Sequence, residues 1–384
     1  MNANAAGMAQ IVLDDVIRLY PRGVVGVRDL TLNMRAGELL TLVGPSGCGK
    51  TTTLRLIAGL DQPDSGSIRI GSAIMNGRKP VPPFERGVAM VFQNAAMYPH
   101  LTVRKNLTFV LKQHKIARDT IGPALHDIAS LVGVTDLLDR RPGELSGGQM
   151  QRAALARALV VQPKVLLLDE PLSNLDAPLR HRLRQEIRQL QQRLRITTIH
   201  VTHDQEEALA IGHRVAIMNH GRIEQIGTPR EIYQHPRNRF VATFFGDPPM
   251  NLLQGQLREH NGQLRFEEPG GVSILLQRTV ASSATNTTDM SLSLGIRPHD
   301  AMIADDVAAI PESWPRIPIT IEHREWLGDR ILLHTRTAGN QSFVVSHPAN
   351  APPVESKSIT VAVNPPSIHH FKNDDAGESL SPSL

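Results

Sequence analysis

Gly44-Pro45-Ser46-Gly47-Cys48-Gly49-Lys50-Thr51 fits the spacing G-x-x-x-x-G-K-[ST], whose chemistry is phosphate binding. The glycines let the chain turn tightly, so that successive backbone N–H groups point at phosphate oxygens. A helix after them adds the positive end of its dipole. Lys50 offers a cation to the β and γ phosphates, and the Thr51 hydroxyl suits Mg²⁺, which prefers hard oxygen ligands. About a hundred residues further on, Leu145-Ser146-Gly147-Gly148-Gln149 is a second glycine-rich anion seat, placed before the helical run Gln151 to Val161. A plain helix cap accounts for Ser146 but not for two adjacent glycines, which weaken a helix unless the backbone must approach something closely.

Asp169 and Glu170 follow the apolar run Val165–Leu168 and so emerge at the C-terminal end of a strand, where open α/β sheets bind ligands. Asp169 is a candidate to hold Mg²⁺ through water. Glu170 has no pairing partner nearby in sequence and is a candidate to polarise an attacking water. The bland alternative, a solvated acidic pair at a strand end, loses ground once a phosphate loop precedes it. His203 closes another strand and could donate to a γ-phosphate, although a lone histidine is more often structural.

These residues need a parallel sheet to bring them together. Glu38 to Val43 is β-leaning and ends at the glycine loop, and Leu54, Ile57 and Ala58 then make a short helix stopped by Gly59. Residues 94–158 turn mainly helical, with a stripe at Leu125, Ile128 and Val132. Val165–Leu168 is continuously apolar, as a strand covered on both faces must be. Leu179, Leu183, Ile187, Leu190 and Leu194 mark a long amphipathic helix, Thr197–Thr202 a further buried strand, and Asp204 with Glu207 a capping-box start. The alternation predicts an α/β domain over residues 8–245 with a largely parallel sheet. After Gly246-Asp247-Pro248-Pro249 the pattern changes to short strands and turns, among them Val272–Leu276, Ile331–Thr335 and Ser342–Val345. Residues 246–372 therefore read as a small all-β, barrel-like domain. Residues 373–384 are polar and Ser/Pro-containing and are expected to be disordered.

Composition narrows the classes. A chain of 384 residues exceeds one ordinary core, which points to more than one domain. Its net charge of +4 is spread without a run of Lys/Arg, so a nucleic-acid arm is not expected. Cys48 is the one cysteine, which excludes an intramolecular disulfide and fits a reducing compartment. Met1 to Gln10 has no secretion pattern, Met8 is an alternative start, and no apolar run approaches the roughly 20 residues that span a bilayer. A membrane role would then be peripheral.

Taken together, Ile11 to Gly246 resembles the nucleotide-binding subunit of ATP-binding cassette (ABC) transporters, a P-loop NTPase fold with a helical subdomain at about 94–158. Gly44–Thr51 matches Walker A, Val91-Phe92-Gln93 the Q-loop, Leu145–Gln149 the signature, and Val165–Glu170 Walker B. Ser173-Asn174-Leu175-Asp176 matches the D-loop and His203 the switch histidine. Tyr20 stands where the family stacks an aromatic on adenine. The resemblance implies an ATPase using ATP and Mg²⁺. It places the nucleotide on Tyr20, on Gly44, Pro45, Ser46, Gly47, Cys48, Gly49, Lys50, Thr51 and Thr52, and on Gln93 and His203. The metal would be held by Thr51, Gln93 and Asp169, and catalysis would fall to Glu170, His203 and Gln93. It also implies a head-to-tail homodimer, or a pair with a close paralogue, in which Ser146, Gly147, Gly148, Gln149 and Asp176 complete the partner's site.

The finer likeness is to importer ATPases of the maltose and glycerol-phosphate type, on Tyr98–Val103, Asn174–Ala177, Thr202–Gln205, Pro249-Met250-Asn251, Gly295–Pro298 and Trp326–Asp329. That group carries an OB-like regulatory β domain. It works with two membrane permease subunits at the cytoplasmic face of the inner membrane and, indirectly, with an extracytoplasmic solute-binding protein. Met150 replaces the usual arginine after the signature, and Ala95 the usual tyrosine beside the Q-loop. Uptake of sulfate, molybdate or polyamine is the main rival within importers. A soluble ABC ATPase acting on ribosomes or DNA belongs to a different class and usually carries two cassettes or a coiled-coil insertion, of which there is no sign here.

Overall fold

The computed structural model describes residues 9–173, 175–260, 263–276, 290–304, 310–374 and 376–380. Met1 and Met8 as alternative starts, Asn174 of the D-loop, and residues 375 and 381–384 of the tail lie outside them. Packing divides the chain into two compact units, Met1–Pro229 and Arg230–Leu384.

The first unit opens with β1 (Ile11–Tyr20), β2 (Val24–Met34), β3 (Leu39–Val43), α1 (Lys50–Ala58), β4 (Ser65–Ile70), β5 (Ala73–Ile74) and β6 (Val88–Val91). The helices α2 (Val103–Gln113), α3 (Arg118–Leu131) and α4 (Gly147–Leu159) follow. It closes with β7 (Val165–Asp169), α5 (Ala177–Leu194), β8 (Thr197–Thr202), α6 (Gln205–Ile211), β9 (Arg214–Asn219) and β10 (Arg222–Gly227). One sheet is antiparallel in the order β2-β1-β4-β5, and the other runs β10-β9-β3-β8-β7-β6. In the second sheet only the β10–β9 pair is antiparallel. Every residue of β3, β7 and β8 is buried, as the continuous apolar runs predict for strands covered on both faces. Leu40 and Leu42 pack toward Leu54 and Ile57 of α1. Leu166 and Leu168 pack toward α2, α4 and α5 through Leu107, Leu155 and Leu183.

Two local devices hold the loops that matter. Arg86, 3% exposed, donates to the carbonyls of Leu56 and Ile57 at 2.9 and 3.0 Å and of Val81 at 2.8 Å, closing the C-terminal end of α1. Asn106, fully buried, accepts from Tyr98 N at 2.9 Å and donates to the carbonyls of Tyr98, Leu101 and Thr102. Those bonds hold the segment after Gln93 as an ordered loop. In the stretch expected to be mainly helical from about residue 94, the first helix therefore begins at Val103, capped by Thr102. No helix among the described residues is long and apolar enough to cross a membrane.

The second unit contains α7 (Pro229–Gln234, beginning at the division), α8 (Arg239–Phe244), β11 (Asn251–His260), β12 (Gln263–Glu267), β13 (Ser273–Leu275) and β14 (Met290–Ile296). After these come β15 (Ala301–Ile303), β16 (Arg316–Trp326), β17 (Arg330–Thr337), β18 (Ser342–Pro348), β19 (Ser358–Val363) and β20 (Ile368–Lys372). Two five-stranded sheets, β13-β12-β11-β14-β20 and β15-β19-β16-β17-β18, share one core around Phe266, Leu294, Ile319 and Phe343. This is the OB-like β domain expected, with two corrections. Its boundary lies earlier than residue 246, because Ala242 of α8 packs on Met250 and Phe371 and Arg297 donates to the carbonyls of Tyr233 and Phe245. The tail expected to be disordered from residue 373 folds back. Leu380 N donates to His370 O at 2.7 Å, Ser379 N to Arg237 O at 2.8 Å, and Gly377 N to the Asp374 side chain at 2.7 Å.

Neighbouring histidines on β20 make this unit acid-sensitive. Burial lowers the pKa of His370 to about 4, and burial with the nearby charges of Arg297, His370 and His235 does the same for His369. Both rings are neutral in the fold, whereas the unfolded chain takes up protons near the ordinary 6.5. Stability is then complete above about pH 6.5 and is lost as pH falls toward 4, by up to about 3 kcal/mol for each ring. Melting curves of the full chain between pH 7 and 4.5 should show this loss, and His370→Gln should flatten it. An unchanged pH slope in that variant would contradict the assignment.

Candidate functional site

The parallel register brings the chemistry to one edge. Val43 is level with Thr202, and Asp169 with Val201, so the residues that leave β3, β7 and β8 emerge side by side. Gly44 to Gly49 wraps the N-terminus of α1. Gly49 has φ +106°, and a Cβ there would lie 2.3 Å from Gly26 O, so both conformation and space demand glycine. Lys50, 6% exposed, turns its Nζ over this loop and donates to Gly44 O at 2.8 Å and Pro45 O at 2.9 Å. Cys48 is buried within the same turn. Burial raises its thiol pKa, against the opposing charge of Lys50.

Across the strand edge Thr51 Oγ1 donates to Asp169 Oδ1 at 3.1 Å. Asp169 is 7% exposed, and burial raises its pKa above the ordinary value, opposed by the hydrogen bond from Thr51. Hydroxyl and buried carboxylate form a pair of hard oxygens suited to Mg²⁺. No cluster of three His, Cys, Asp or Glu among the described residues could hold a metal by itself. Thr51 and Asp169 would be the residues that hold such a cation.

Glu170 is the meeting point. Its Oε2 lies 3.0 Å from His203 Nδ1 and 3.4 Å from Gln93 Nε2, which is also 3.5 Å from Ser173 Oγ. Its backbone has φ +46°, a left-handed conformation that a non-glycine residue adopts at a cost, and its N–H donates to Val201 O at 3.1 Å. The partner absent from the neighbouring sequence is thus a histidine from the next strand. A small recess beside it is lined by Ser173, Arg180, Thr202, His203, Asp204 and Glu207.

The remaining candidates stand elsewhere. Ser146 and Gln149 cap one another at the start of α4, with Gln149 N donating to Ser146 Oγ at 3.4 Å and Ser146 N to Gln149 Oε1 at 2.9 Å. The two glycines between them are explained by close approach. A Cβ on Gly147 would lie 2.9 Å from Leu175, and one on Gly148 3.0 Å from Leu179. Asp176 caps α5 by accepting from Leu179 N at 3.4 Å. The Tyr20 hydroxyl donates to Asp61 Oδ2 at 2.6 Å while Arg18 lies over its ring at 4.9 Å. A Cβ on Gly26 would meet both Tyr20 and Thr52, so the ring sits close to the first turn of α1. Sequence reading missed Arg157, whose guanidinium donates to the carbonyls of Ala96 at 2.6 Å and Ala95 at 3.2 Å, and the Arg180–Asp204 ion pair at 3.1 Å. Both join residues far apart in sequence, which no local pattern reveals.

The chain is similar to known proteins over most of its length. The family described as ABC transporter matches residues 27–173, and that described as TOBE domain matches residues 294–371. The chain is 43% identical to the trehalose/maltose import ATP-binding protein MalK of Thermococcus litoralis over 95% of its length and 98% of that protein's. It is 41% identical to the sn-glycerol-3-phosphate import ATP-binding protein UgpC of a Jannaschia species, over 96% and 99%. To the trehalose import ATP-binding protein SugC of Mycobacterium tuberculosis it is 47% identical, over 78% and 75%. The solved structure of CbiO1 from Clostridium perfringens, described as part of the ABC transporter complex CbiONQ, superposes with a TM-score of 0.53 at 27% identity. It covers 59% of this chain and 91% of that one.

The cost of keeping Asp169 ionised in its buried place can be measured. Its folded pKa is raised, so the charged form is worse off in the fold than in the unfolded chain. The cost is present above the folded pKa and vanishes below the ordinary carboxylate value. In EDTA at pH 7.5, Asp169→Asn should raise the melting temperature by about 2 °C. It should also shrink the stabilisation that Mg-ATP gives the parent chain. A lower melting temperature in EDTA would contradict the assigned burial cost.

Proposed function

Because the chain belongs to the ATP-binding subunits of ABC importers, and is therefore an ATPase, we propose that its hydrolytic centre is the group Lys50, Thr51, Gln93, Asp169, Glu170 and His203. The convergence of Gln93 and His203 on one oxygen of Glu170, beside the Thr51–Asp169 pair, carries this reading. The N–H groups of Gly44 to Thr52 cradle the phosphates, and Lys50 exchanges its carbonyl partners for β and γ oxygens. Tyr20, next to the first turn of α1, stacks on the adenine. Mg²⁺ held by Thr51, by Gln93 and, through water, by Asp169 would neutralise charge on the β and γ phosphates. His203 donates to the γ-phosphate. In turning to it, His203 leaves Glu170 Oε2 free to accept a proton from the attacking water.

One subunit supplies only half of each site in this reading. A second copy, packed head to tail, brings Ser146, Gly147, Gly148 and Gln149 over the γ-phosphate and Asp176 across the interface. The helix N-terminus at Ser146 is suited to that anion. Two permease subunits dock on the loop after Gln93, where Tyr98 and Phe109 expose an edge-to-face aromatic pair 5.1 Å apart and Phe92 is also exposed. Asn106 and Arg157 fix that loop to the helical subdomain, so a push from the membrane side is transmitted rather than absorbed. The protein would then work as a peripheral subunit at the inner face of the cell membrane, served indirectly by a solute-binding protein. The names of its relatives favour a carbohydrate or glycerol-phosphate-like solute over sulfate, molybdate or polyamine. The second unit takes the regulatory and dimer-contact role.

Glu170→Gln keeps the shape of the site and removes the base. Turnover should fall at least about a hundred-fold while ATP binding persists, and Mg-ATP should drive the variant into a stable dimer. Near-normal hydrolysis would overturn the assignment of Glu170. The solute is tested in the complex with its co-purifying permease and binding protein. Trehalose, maltose or glycerol 3-phosphate should stimulate ATPase activity where sulfate, molybdate and spermidine do not.

A further inference from the structure

We propose that Arg180 is a positioning residue that makes movement of the D-loop and of the His203 loop a single event. Its side chain spans the two. One terminal nitrogen donates to the carbonyl of Leu175 at 3.0 Å, immediately before Asp176, and the other to the Asp204 carboxylate at 3.1 Å, immediately after His203. A planar guanidinium reaches two acceptors in fixed relative directions, which a lysine ammonium cannot do from this position. The third nitrogen, Nε, is buried without an acceptor, so the orientation is set by the two outer bonds.

Asp204 is held from both sides. Its N–H donates to Thr202 Oγ1 at 3.0 Å, its Oδ1 accepts from Glu207 N at 2.9 Å as the cap of α6, and its Oδ2 is left for Arg180. Farther along the same elements, His200 of β8 pairs with Glu207 of α6 in full burial. The loop carrying His203 therefore has stiff ends, and Arg180 is its tether to α5. At the other end of the tether, Leu175 and Leu179 lie against Gly147 and Gly148 so closely that no Cβ would fit without displacement. The signature turn and the start of α5 are thus in direct contact.

The consequence rests on the head-to-tail reading above. The signature turn and Asp176 face the partner's nucleotide, whereas His203 faces the subunit's own. Arg180 is the one bond pair among the described residues that joins Leu175 to the residue following His203. Arrival of the partner's nucleotide at the signature would shift α5 and, through Arg180 and Asp204, settle His203 on the γ-phosphate. The Arg180 and Asp204 side chains keep 32% and 26% of their surface exposed, and ion pairs open to solvent contribute little to stability. Its loss should accordingly appear in turnover rather than in melting.

The test uses steady-state ATPase of the purified full chain with Mg-ATP. Arg180→Met breaks both bonds, and Asp204→Asn removes the charge while keeping a side chain that caps α6. Each should lower kcat about ten-fold with KM for ATP changed less than about two-fold, and melting temperatures should stay within about 2 °C of the parent. The double variant should be no worse than either single, because both remove one link, and Arg180→Lys should fall between parent and Arg180→Met. Multiplying effects in the double variant, an unchanged kcat in Arg180→Met, or a loss that tracks a fall in melting temperature would overturn the proposal. If Glu170→Gln loses activity while the Arg180 variants do not, only the role of Arg180 fails. If the parent chain does not hydrolyse ATP, the proposed function fails and this inference with it.

Discussion

The parallel register of three buried strands is the constraint on which the rest depends. With Val43 opposite Thr202 and Asp169 opposite Val201, the glycine loop, the Asp169-Glu170 pair and His203 leave the sheet at the same level. A slip of one residue would carry Glu170 about 3.3 Å along the strand and reverse its face, ending the 3.0 Å approach to His203. Burial on both faces is what prevents the slip, since each side chain of β3, β7 and β8 has a core to enter. The apolar runs that look catalytically inert therefore set the distances on which catalysis depends.

What the sequence made legible follows from which requirements are local. The phosphate loop, the strands on either side and the helix after it each declare themselves within about ten residues, because a tight turn needs glycine where backbone approaches backbone. The signature glycines were legible as an anomaly, and the structure supplies the cause in Leu175 and Leu179. What stayed hidden is non-local. Glu170 meets His203 and Gln93 from other strands, and Arg180 meets Asp204 from another helix. The unit boundary was misplaced for the same reason, because α8 belongs with Met250 and Phe371 by packing and not by composition. In the tail, polarity suggested disorder, yet backbone bonds to His370 and Arg237 order residues that composition alone leaves free.

The site divides into a part built for charge and a part built for timing. In the proposed reading Lys50, Thr51 and Asp169 need only be near the phosphates, and they stand on a helix N-terminus and a buried strand end. In the proposed mechanism Glu170, Gln93 and His203 exchange partners, and the side chains of His203 and Glu170 keep 56% and 20% of their surface exposed. The Glu170 carboxylate is held where it is by its contacts with His203 and Gln93. Releasing one donor to a phosphate makes the oxygen available only when the phosphate is present. In the proposed reading that arrangement ties the base to its substrate, and the Arg180–Asp204 link sets when His203 turns.

The loop after Gln93 is built for rigidity. It carries Tyr98, exposed and packed edge to face on Phe109, and it is held by Asn106 and Arg157. Such a loop conveys position, not chemistry. Rigid anchoring there matters more than affinity, because a displacement of about 1 Å at a catalytic contact can change rate by orders of magnitude. A loop fixed to α2 by the four bonds of Asn106 and to α4 by Arg157 moves only when the helical subdomain moves. Since α4 also begins with the turn Ser146 to Gln149, the proposed docking of a permease on this loop would act on that turn and, through Leu175, on the start of α5. In that proposal, coupling between transport and hydrolysis runs through the packing of α4 in the helical core.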